Sequence, residues 1–416
     1  MVVALRTEII EIKKEPFLSL LCHQVKNLYN RANYILKQRQ KKSIFLTYYE
    51  LDRILKVEEC YKILPAHTAQ QTLKLLIRNW KSFFHVVKEW KKHPEKFLGF
   101  PRSPSYKPSN GEYVAILSNQ QAKIVNGWLV LPKKVRFTIK TRLHSGHIVR
   151  EVRIVPRGVG YTVEIVYLKQ IPKTKEKNSR KKGAIDLGLT NLVTFVDNIG
   201  NRPIIIKDEG KGVKSITQFY LKKTKMLQEQ YAQQQREKMK QKIKLSYGRS
   251  FYFVKDKWRR KLKDAFHKIS RFLVDLWEER DLHTIIIGYN PKWKQQLSLR
   301  KKVTQLFVSI PFYQLISLLR YKAAEKGIIV ELIDESYTSK CSFLDNEPIS
   351  HHSYIGKRVK RGLFCSAQGV FINSDVNAAY NILLKSDPQA LPSRSVGGVG
   401  GYVIYPLRVS FRAMKL

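Results

Sequence analysis

Two acidic residues stand where acids are costly. Asp186 ends the apolar run Gly183-Ala184-Ile185, and Asp375 stands in INSDVNAAYNIL at the start of an amphipathic stretch. An acid on a buried strand costs several kcal/mol, on the order of the penalty for any unpaired buried charge, unless it is paired or bound to metal. Gly188, two residues on, leaves room for backbone or phosphate to approach. Asp375 falls where a helix dipole favours a carboxylate. The plain alternatives are a turn-capping Asp186 and a helix-capping Ser374 or Asp375. The chemistry that uses such acids as a set is two-metal phosphodiester hydrolysis. Carboxylates bridge two Mg²⁺ ions; one activates water and the other stabilises the leaving oxygen. RNase H-like folds supply these acids from a first strand, a fourth strand and a C-terminal helix. The first and last are legible here, and Asn377 and Asn381 follow on a polar face of the same helix.

The elements that must position these acids are read from periodicity. Residues 183–197 and 201–207 read as strands, 211–271 as helical and very basic, 284–287 as a buried strand, and 311–326 as an amphipathic helix between Pro311 and Gly327. Residues 328–333 form a further strand, and 374–385 a last helix. The tail from Asp387, containing GGVGG, is expected to be loosely ordered. In the N-terminal half, 1–12 read as a strand. Leu18, Leu21, Val25, Leu28, Ala32 and Ile35 have helical spacing, as do Leu73, Leu76, Ile77, Trp80, Phe83 and Phe84. Strands follow over 112–172, with a hairpin at Asn126-Gly127 and a turn near Pro156-Arg157-Gly158.

The fold class expected is α+β multidomain. An N-terminal β-barrel, 1–14 with 97–172, carries a helical insert, 15–96. A charged linker, 173–182, leads to an α/β domain, 183–337 with 374–386, which holds a small insert, 338–373. A tail, 387–416, completes the chain.

Composition names the partner class. The 416 residues hold 77 Lys+Arg against 33 Asp+Glu, a formal net charge of +44, with 43% hydrophobic residues. Such an imbalance repels itself unless a polyanion neutralises it, and nucleic acid is the polyanion that fits. No apolar run of spanning length and no signal peptide are expected, so the chain reads as cytoplasmic, with no membrane partner. The four cysteines, Cys22, Cys60, Cys341 and Cys365, form no C-x-x-C pair and argue against a disulfide framework. Lys257, Arg259, Arg260 and Lys261 around Trp258 are candidate phosphate contacts, and Phe251, Tyr252 and Phe253 candidate stacking residues, with core packing as the alternative.

Several segments carry a resemblance: GAIDLGLTNLVTF, TIIIGYNPKWKQ, DESYTSKCSFLD and KRVKRGLFCSAQGVFINSDVNAAYNIL. With the basic N-terminal half, they resemble the TnpB (OrfB) proteins of bacterial insertion sequences, relatives of type V CRISPR effectors. The resemblance implies an RNA-guided DNA endonuclease with a RuvC-type domain, a wedge β-barrel with a helical recognition insert, a guide RNA from the transposon end, and double-stranded target DNA. It makes Asp186 the first RuvC acid and Asp375 the third, both holding Mg²⁺. Two departures stand out. The family's usual Glu after the fourth strand is Gly288 here, and a branch with this glycine relocates its glutamate. Glu335 is the leading substitute, on a strand two places from Asp186, roughly 9–10 Å at ~4.8 Å per strand. Asp334 points to the opposite face; Asp345 and Glu347 qualify only if their loop folds back. The other departure is zinc. Of two C-x-x-C pairs, only Cys341 and Cys365 remain, with Leu344 and Gln368 at the partner positions and His351 and His352 between. The insert is expected to fold without zinc and to guide DNA through Lys340, Lys357, Arg358, Lys360 and Arg361. Lys294, in the WKQ segment, is a further candidate contact. Cleavage-deficient RNA-guided binding, and DNA transposition, are the competing functions; the oligomeric state, monomer or dimer, is left open.

Overall fold

The computed structural model describes residues 2–171, 180–207, 212–239, 247–290, 301–360, 362–390 and 405–410. The chain forms two compact units, meeting in sequence at Gln170–Ile171.

The N-terminal unit opens with β1 (Val2–Lys13) and four helices: α1 (Pro16–Lys41), α2 (Tyr48–Leu55), α3 (Glu59–Lys62) and α4 (Ala66–Lys92). Glu15 caps α1 by accepting from the Leu18 N–H at 2.8 Å, and Pro16 fits the first turn, where no N–H is needed. Three- and four-residue spacing buries Leu18, Leu21, Val25, Leu28 and Ala32 of α1 and Leu73, Leu76, Ile77 and Trp80 of α4 in one core. The Trp80 indole N–H is satisfied inside this core by Asn33 Oδ1, at 2.9 Å. Strands follow: β2 (Ala115–Ser118), β3 (Lys123–Val125), β4 (Trp128–Val130), β5 (Thr138–Lys140), β6 (Ile148–Arg157) and β7 (Gly160–Ile171). They form two sheets, β1-β7-β6-β2 and β3-β4-β5. The Asn126-Gly127 hairpin forms as its sequence requires: both residues have positive φ, 49° and 75°, and Val125 pairs with Trp128. The β6–β7 turn is Gly158-Val159, just beyond the expected Pro156-Arg157-Gly158, because Arg157 still pairs with Gly160.

The C-terminal unit is built on β8 (Lys182–Asp186), β9 (Asn191–Asp197), β10 (Ile204–Lys207), β11 (Thr284–Gly288) and β12 (Ile329–Ile333). Between them lie α5 (Val213–Met239), α6 (Arg249–Glu279), α7 (Lys301–Ser309) and α8 (Phe312–Glu325). After β12 come β13 (Lys357–Lys360), β14 (Leu363–Cys365), β15 (Phe371–Asn373), α9 (Ser374–Ser386) and β16 (Leu407–Ser410). The central sheet runs β12-β11-β8-β9-β10-β16, so β12 lies two places from β8. Strand alternation sends Ile185, Ile285 and Ile287 toward α6 and α8, and Ala184, Ile286 and Ile333 toward α9. β13, β14 and β15 form a separate antiparallel sheet.

The basic helical stretch comprises α5 and α6, packed together with Tyr220 stacked on Trp258 at 4.4 Å. Two expectations are corrected. The tail is not wholly loose: β16 adds a sixth strand, parallel to β10, with Leu407 N–H donating to Pro203 O at 2.7 Å. Lys302–Glu325 is long and apolar enough to cross a membrane by length and composition, contrary to the sequence reading. It breaks between α7 and α8 at Ile310-Pro311, and Phe312, Leu315, Ile316, Leu319 and Ala323 bury one face against the sheet.

Candidate active site

Asp186 ends β8, two residues from Ala184 and therefore on the α9 face of the sheet. There it meets α9. The chain reverses immediately after Asp186, and Gly188 makes the reversal possible: a Cβ on it would stand 2.6 Å from Asn191 O. The glycine thus admits its own backbone rather than a ligand. The same reversal returns Asn191, whose Nδ2 donates to Asp375 Oδ2 at 2.6 Å. Asp375 itself is not the helix cap. Asn373 is, its Oδ1 accepting from the N–H groups of Asp375 (3.0 Å) and Val376 (3.2 Å). Asp375 sits one step inside, half-buried in the first turn, where the exposed helix N–H groups favour its charge.

The third acid approaches from β12. Glu335 lies two residues beyond the strand end, in step with Ile333 on the α9 face. A side chain added at Gly288 would place its Cβ 3.3 Å from Glu335 Cβ and 2.5 Å from Ile382 Cδ1. Ile382 of α9 fills the space a side chain at 288 would use, and Glu335 borders it. Asp334 is elsewhere engaged, 3.7 Å from Lys385 Nζ. Asp345 accepts from Ala367 N–H at 2.8 Å, and Glu347 accepts from Ser342 N–H, from Ile355 N–H (2.7 Å) and from His352 Nε2 (3.2 Å). Both belong to the insert.

Burial pushes the Asp186 carboxyl well above the ordinary carboxylate range, and the nearby charges of Asp375 and Glu335 push it further. The Arg358 guanidinium and the Leu187 N–H pull it back. The three acids are thus close enough to repel. Among the described residues, however, no three His, Cys, Asp or Glu side chains are gathered tightly enough to hold a metal ion. The donor set, carboxylate and amide oxygens with a cation-free repulsion to relieve, is the chemistry a hard divalent cation prefers.

Sequence reasoning missed two contributors. Asn191 orients Asp375; its signal was a polar residue five positions after Asp186 across a glycine turn. Arg358, expected only to guide DNA, lies on β13 and donates to Ser374 Oγ at 3.2 Å, beside Asp375. Conversely, Asn377 and Asn381 are not a nucleic-acid face. Both are fully buried. Asn377 Oδ1 accepts from Phe343 N–H, its Nδ2 donates to Cys341 O, and Asn381 Nδ2 donates to Thr338 O and Cys341 O, all at 2.7–2.9 Å. They bolt the 338–360 segment to α9, helped by Phe343 stacked on Tyr380 at 4.3 Å.

Cys341 is buried and forms no disulfide, and burial pushes its thiol up. Cys365 forms no disulfide either. Within the insert Glu347 is a hydrogen-bond hub, and Phe364 and Ile372 are buried. His351 packs edge-on against Tyr337. The candidate phosphate contacts Lys257, Arg260, Lys261, Lys340 and Lys360 are exposed. Arg259 is half-buried, with Nε 3.7 Å from Asp256 Oδ1. Of the candidate stacking residues, Phe251 is buried, stacked on Tyr247 at 4.3 Å, and Phe253 is exposed. Lys294 and Arg361 lie outside the described residues.

Residues 164–294 match the family OrfB_IS605, described as a probable transposase, and residues 312–382 match the Cas12f1-like TNB domain. A chain in a cryo-EM structure of the Cas12f1–sgRNA–target DNA complex superposes with a TM-score of 0.51 at 13% identity, covering 89% of this chain and 82% of that one. A chain from a CRISPR–Cas12f ternary complex, also 13% identical over 91% and 82%, has a TM-score of 0.34, too low to bear on the argument. No curated protein matches. The fold is therefore a mixed α+β, Cas12f-like one. Residues 164–294 and 312–382 are thus similar to a transposon-type family and to a Cas12f1-like domain respectively.

Proposed function

We propose that this chain is a transposon-encoded, RNA-guided DNA endonuclease that cuts at the Asp186, Glu335 and Asp375 cluster of a RuvC-type domain. The observation that carries the reading is the neighbour of Gly288: the Glu335 Cβ lies 3.3 Å from where a Cβ at 288 would stand, so its side chain starts beside the family's usual glutamate position. The three acids would hold Mg²⁺, which when bound supplies an activated water and charge stabilisation at the leaving oxygen. The residues do the rest. Asn191 fixes one oxygen of Asp375 and leaves the other to the site. Arg358 brings a guanidinium that suits the non-bridging oxygens of a scissile phosphate.

The Cas12f1 structure is of a complex with sgRNA and target DNA. Together with the net charge of +44, this supports a guide RNA and double-stranded DNA as partners. Base pairing would then read the target and the protein a short flanking motif. We assign 1–14 with 97–172 to a wedge role, 15–96 to recognition, 183–337 with 374–386 to the nuclease, and 338–373 to target nucleic-acid binding. Lys257, Arg259, Arg260, Lys261, Lys340 and Lys360 are assigned to phosphate contacts.

A second reading, guided binding without cleavage, draws on the loose spacing of the acids. Sequencing the RNA that co-purifies, then offering a guide-matched plasmid with Mg²⁺, separates the two. A discrete RNA and a cut plasmid support the endonuclease. A discrete RNA with an intact plasmid across a randomised flanking library leaves binding alone, and no discrete RNA sinks both.

A further inference from the structure

The N-terminal unit contains a cavity of about 600 Å³ that the nuclease reading does not use. One wall is the first two turns of α1. Phe17, Leu20, Leu21 and Gln24 recur at three- and four-residue spacing and so share one face of the helix. Leu21 is buried and forms the floor, whereas Phe17 is 43% and Leu20 56% exposed. Ile63, at the end of α3, adds a third exposed apolar group, 46% accessible. Opposite them runs the loop from β4 to β5, which brings Lys133, Lys134 and Arg136 to the rim. All three cations are exposed, and no carboxylate lines the cavity.

The loop is fixed in place. Val135 is buried as a plug, its N–H donating to Pro132 O at 2.8 Å, and Lys134 Nζ donates to Lys62 O at 2.9 Å. Directly after these anchors Arg136 stands at φ 48°, a left-handed conformation that costs a residue with a Cβ about 1–2 kcal/mol. Strain of this kind persists where the surrounding structure over-determines it, and it collects at binding sites. Here it aims a guanidinium at the rim of an apolar cavity.

An aromatic ring, an aliphatic floor, one amide and a rim of cations together match one chemical object: an unstacked nucleotide. The base would lie on Phe17 between Leu20 and Ile63, its edge within the province of the Gln24 amide, and its flanking phosphates would meet Lys133, Lys134 and Arg136. The volume falls within the range of about 300–1,000 Å³ usual for small-molecule sites. A purely apolar partner would gain nothing from three cations, and duplex DNA presents no unstacked base. We propose that this cavity captures one unpaired nucleotide of the guide RNA, seating the RNA on the N-terminal unit before any DNA arrives. The inference rests on the RNA-guided function proposed above.

Ultraviolet cross-linking of the purified ribonucleoprotein, followed by peptide mass spectrometry, tests it. We expect a nucleotide adduct on the tryptic segment containing Phe17 in the absence of DNA. Phe17→Ala should lose that adduct and bind the RNA about 5- to 150-fold more weakly, the range that corresponds to one base stack. Phe17→Tyr, which keeps the ring, should restore both. Because Phe17 is 43% exposed and stands outside the buried core cluster, neither change disturbs that core. Adducts elsewhere on the chain but none on this segment would overturn the proposal, as would wild-type RNA affinity in Phe17→Ala. An adduct that forms only after target DNA is added would also overturn it, assigning the cavity to DNA. Absence of any bound RNA would remove the guided reading itself, and is distinguishable because no adduct would then form anywhere.

Discussion

Burial and the carboxylates of Asp375 and Glu335 oppose ionisation of Asp186. Its folded pKa is raised, so between the ordinary carboxylate range and that raised value the native state binds more protons than the unfolded one. Stability must therefore fall as pH rises through this window in metal-free protein. Replacing the charge removes the penalty: Asp186→Asn is expected to raise the thermal midpoint of metal-free protein at neutral pH and to flatten its pH dependence. A divalent cation should relieve the same repulsion in the wild type, by about 2.7 kcal/mol at a hundred times its Kd, and have no such effect on Asp186→Asn. Calorimetry across pH 4–8, with and without Mg²⁺, measures both.

Elements explain why some of the site was legible and some was not. Asp186 and Asp375 could be found because each breaks a local rule, an acid closing an apolar strand and an acid opening a helix. The turn at Asn126-Gly127 could be found because its residues supply the positive φ it needs. The roles of Asn377 and Asn381 could not. A polar helix face looks the same whether it meets solvent or the carbonyls of a segment more than thirty residues upstream, and only the tertiary contact distinguishes them. β16 was missed for a related reason, since an edge strand beside a glycine-rich stretch gains its order from pairing with β10.

The same contacts give two expectations. Asn381→Leu strands the Thr338 carbonyl and leaves Cys341 O to Asn377 alone, at about 1–3 kcal/mol, and should speed hydrogen exchange across 338–347 while leaving α1–α4 unchanged. Zinc chelation, by contrast, should leave exchange in this segment as it is, because Glu347 and the buried aromatics hold it. Lys322 gives the second. Buried between α8 and α6, its ammonium donates to His267 O (2.8 Å) and Ser270 Oγ (2.7 Å), and burial pulls its pKa down to about 8. The unfolded chain holds that proton up to the ordinary lysine range, so stability should climb as pH rises from about 8 toward 10.5. Lys322→Met should abolish that climb in thermal melts, since a charge no longer has to be desolvated.

For the whole molecule, the excess of positive charge and the loosely spaced acids belong to one account. A chain of +44 repels itself until RNA neutralises it, and a trio of carboxylates repels itself until cations do. Both units would reach their working form only when charge of the opposite sign is bound. The claim on which this account turns is that Glu335 supplies the carboxylate that position 288, a glycine, lacks. The direct test is cleavage of a guide-matched plasmid in Mg²⁺ by the wild-type ribonucleoprotein and by Glu335→Gln, with RNA and target binding measured in parallel. The account predicts that the wild type cuts, and that Glu335→Gln binds both nucleic acids equally well but does not cut. Cutting by Glu335→Gln at the wild-type rate would contradict it.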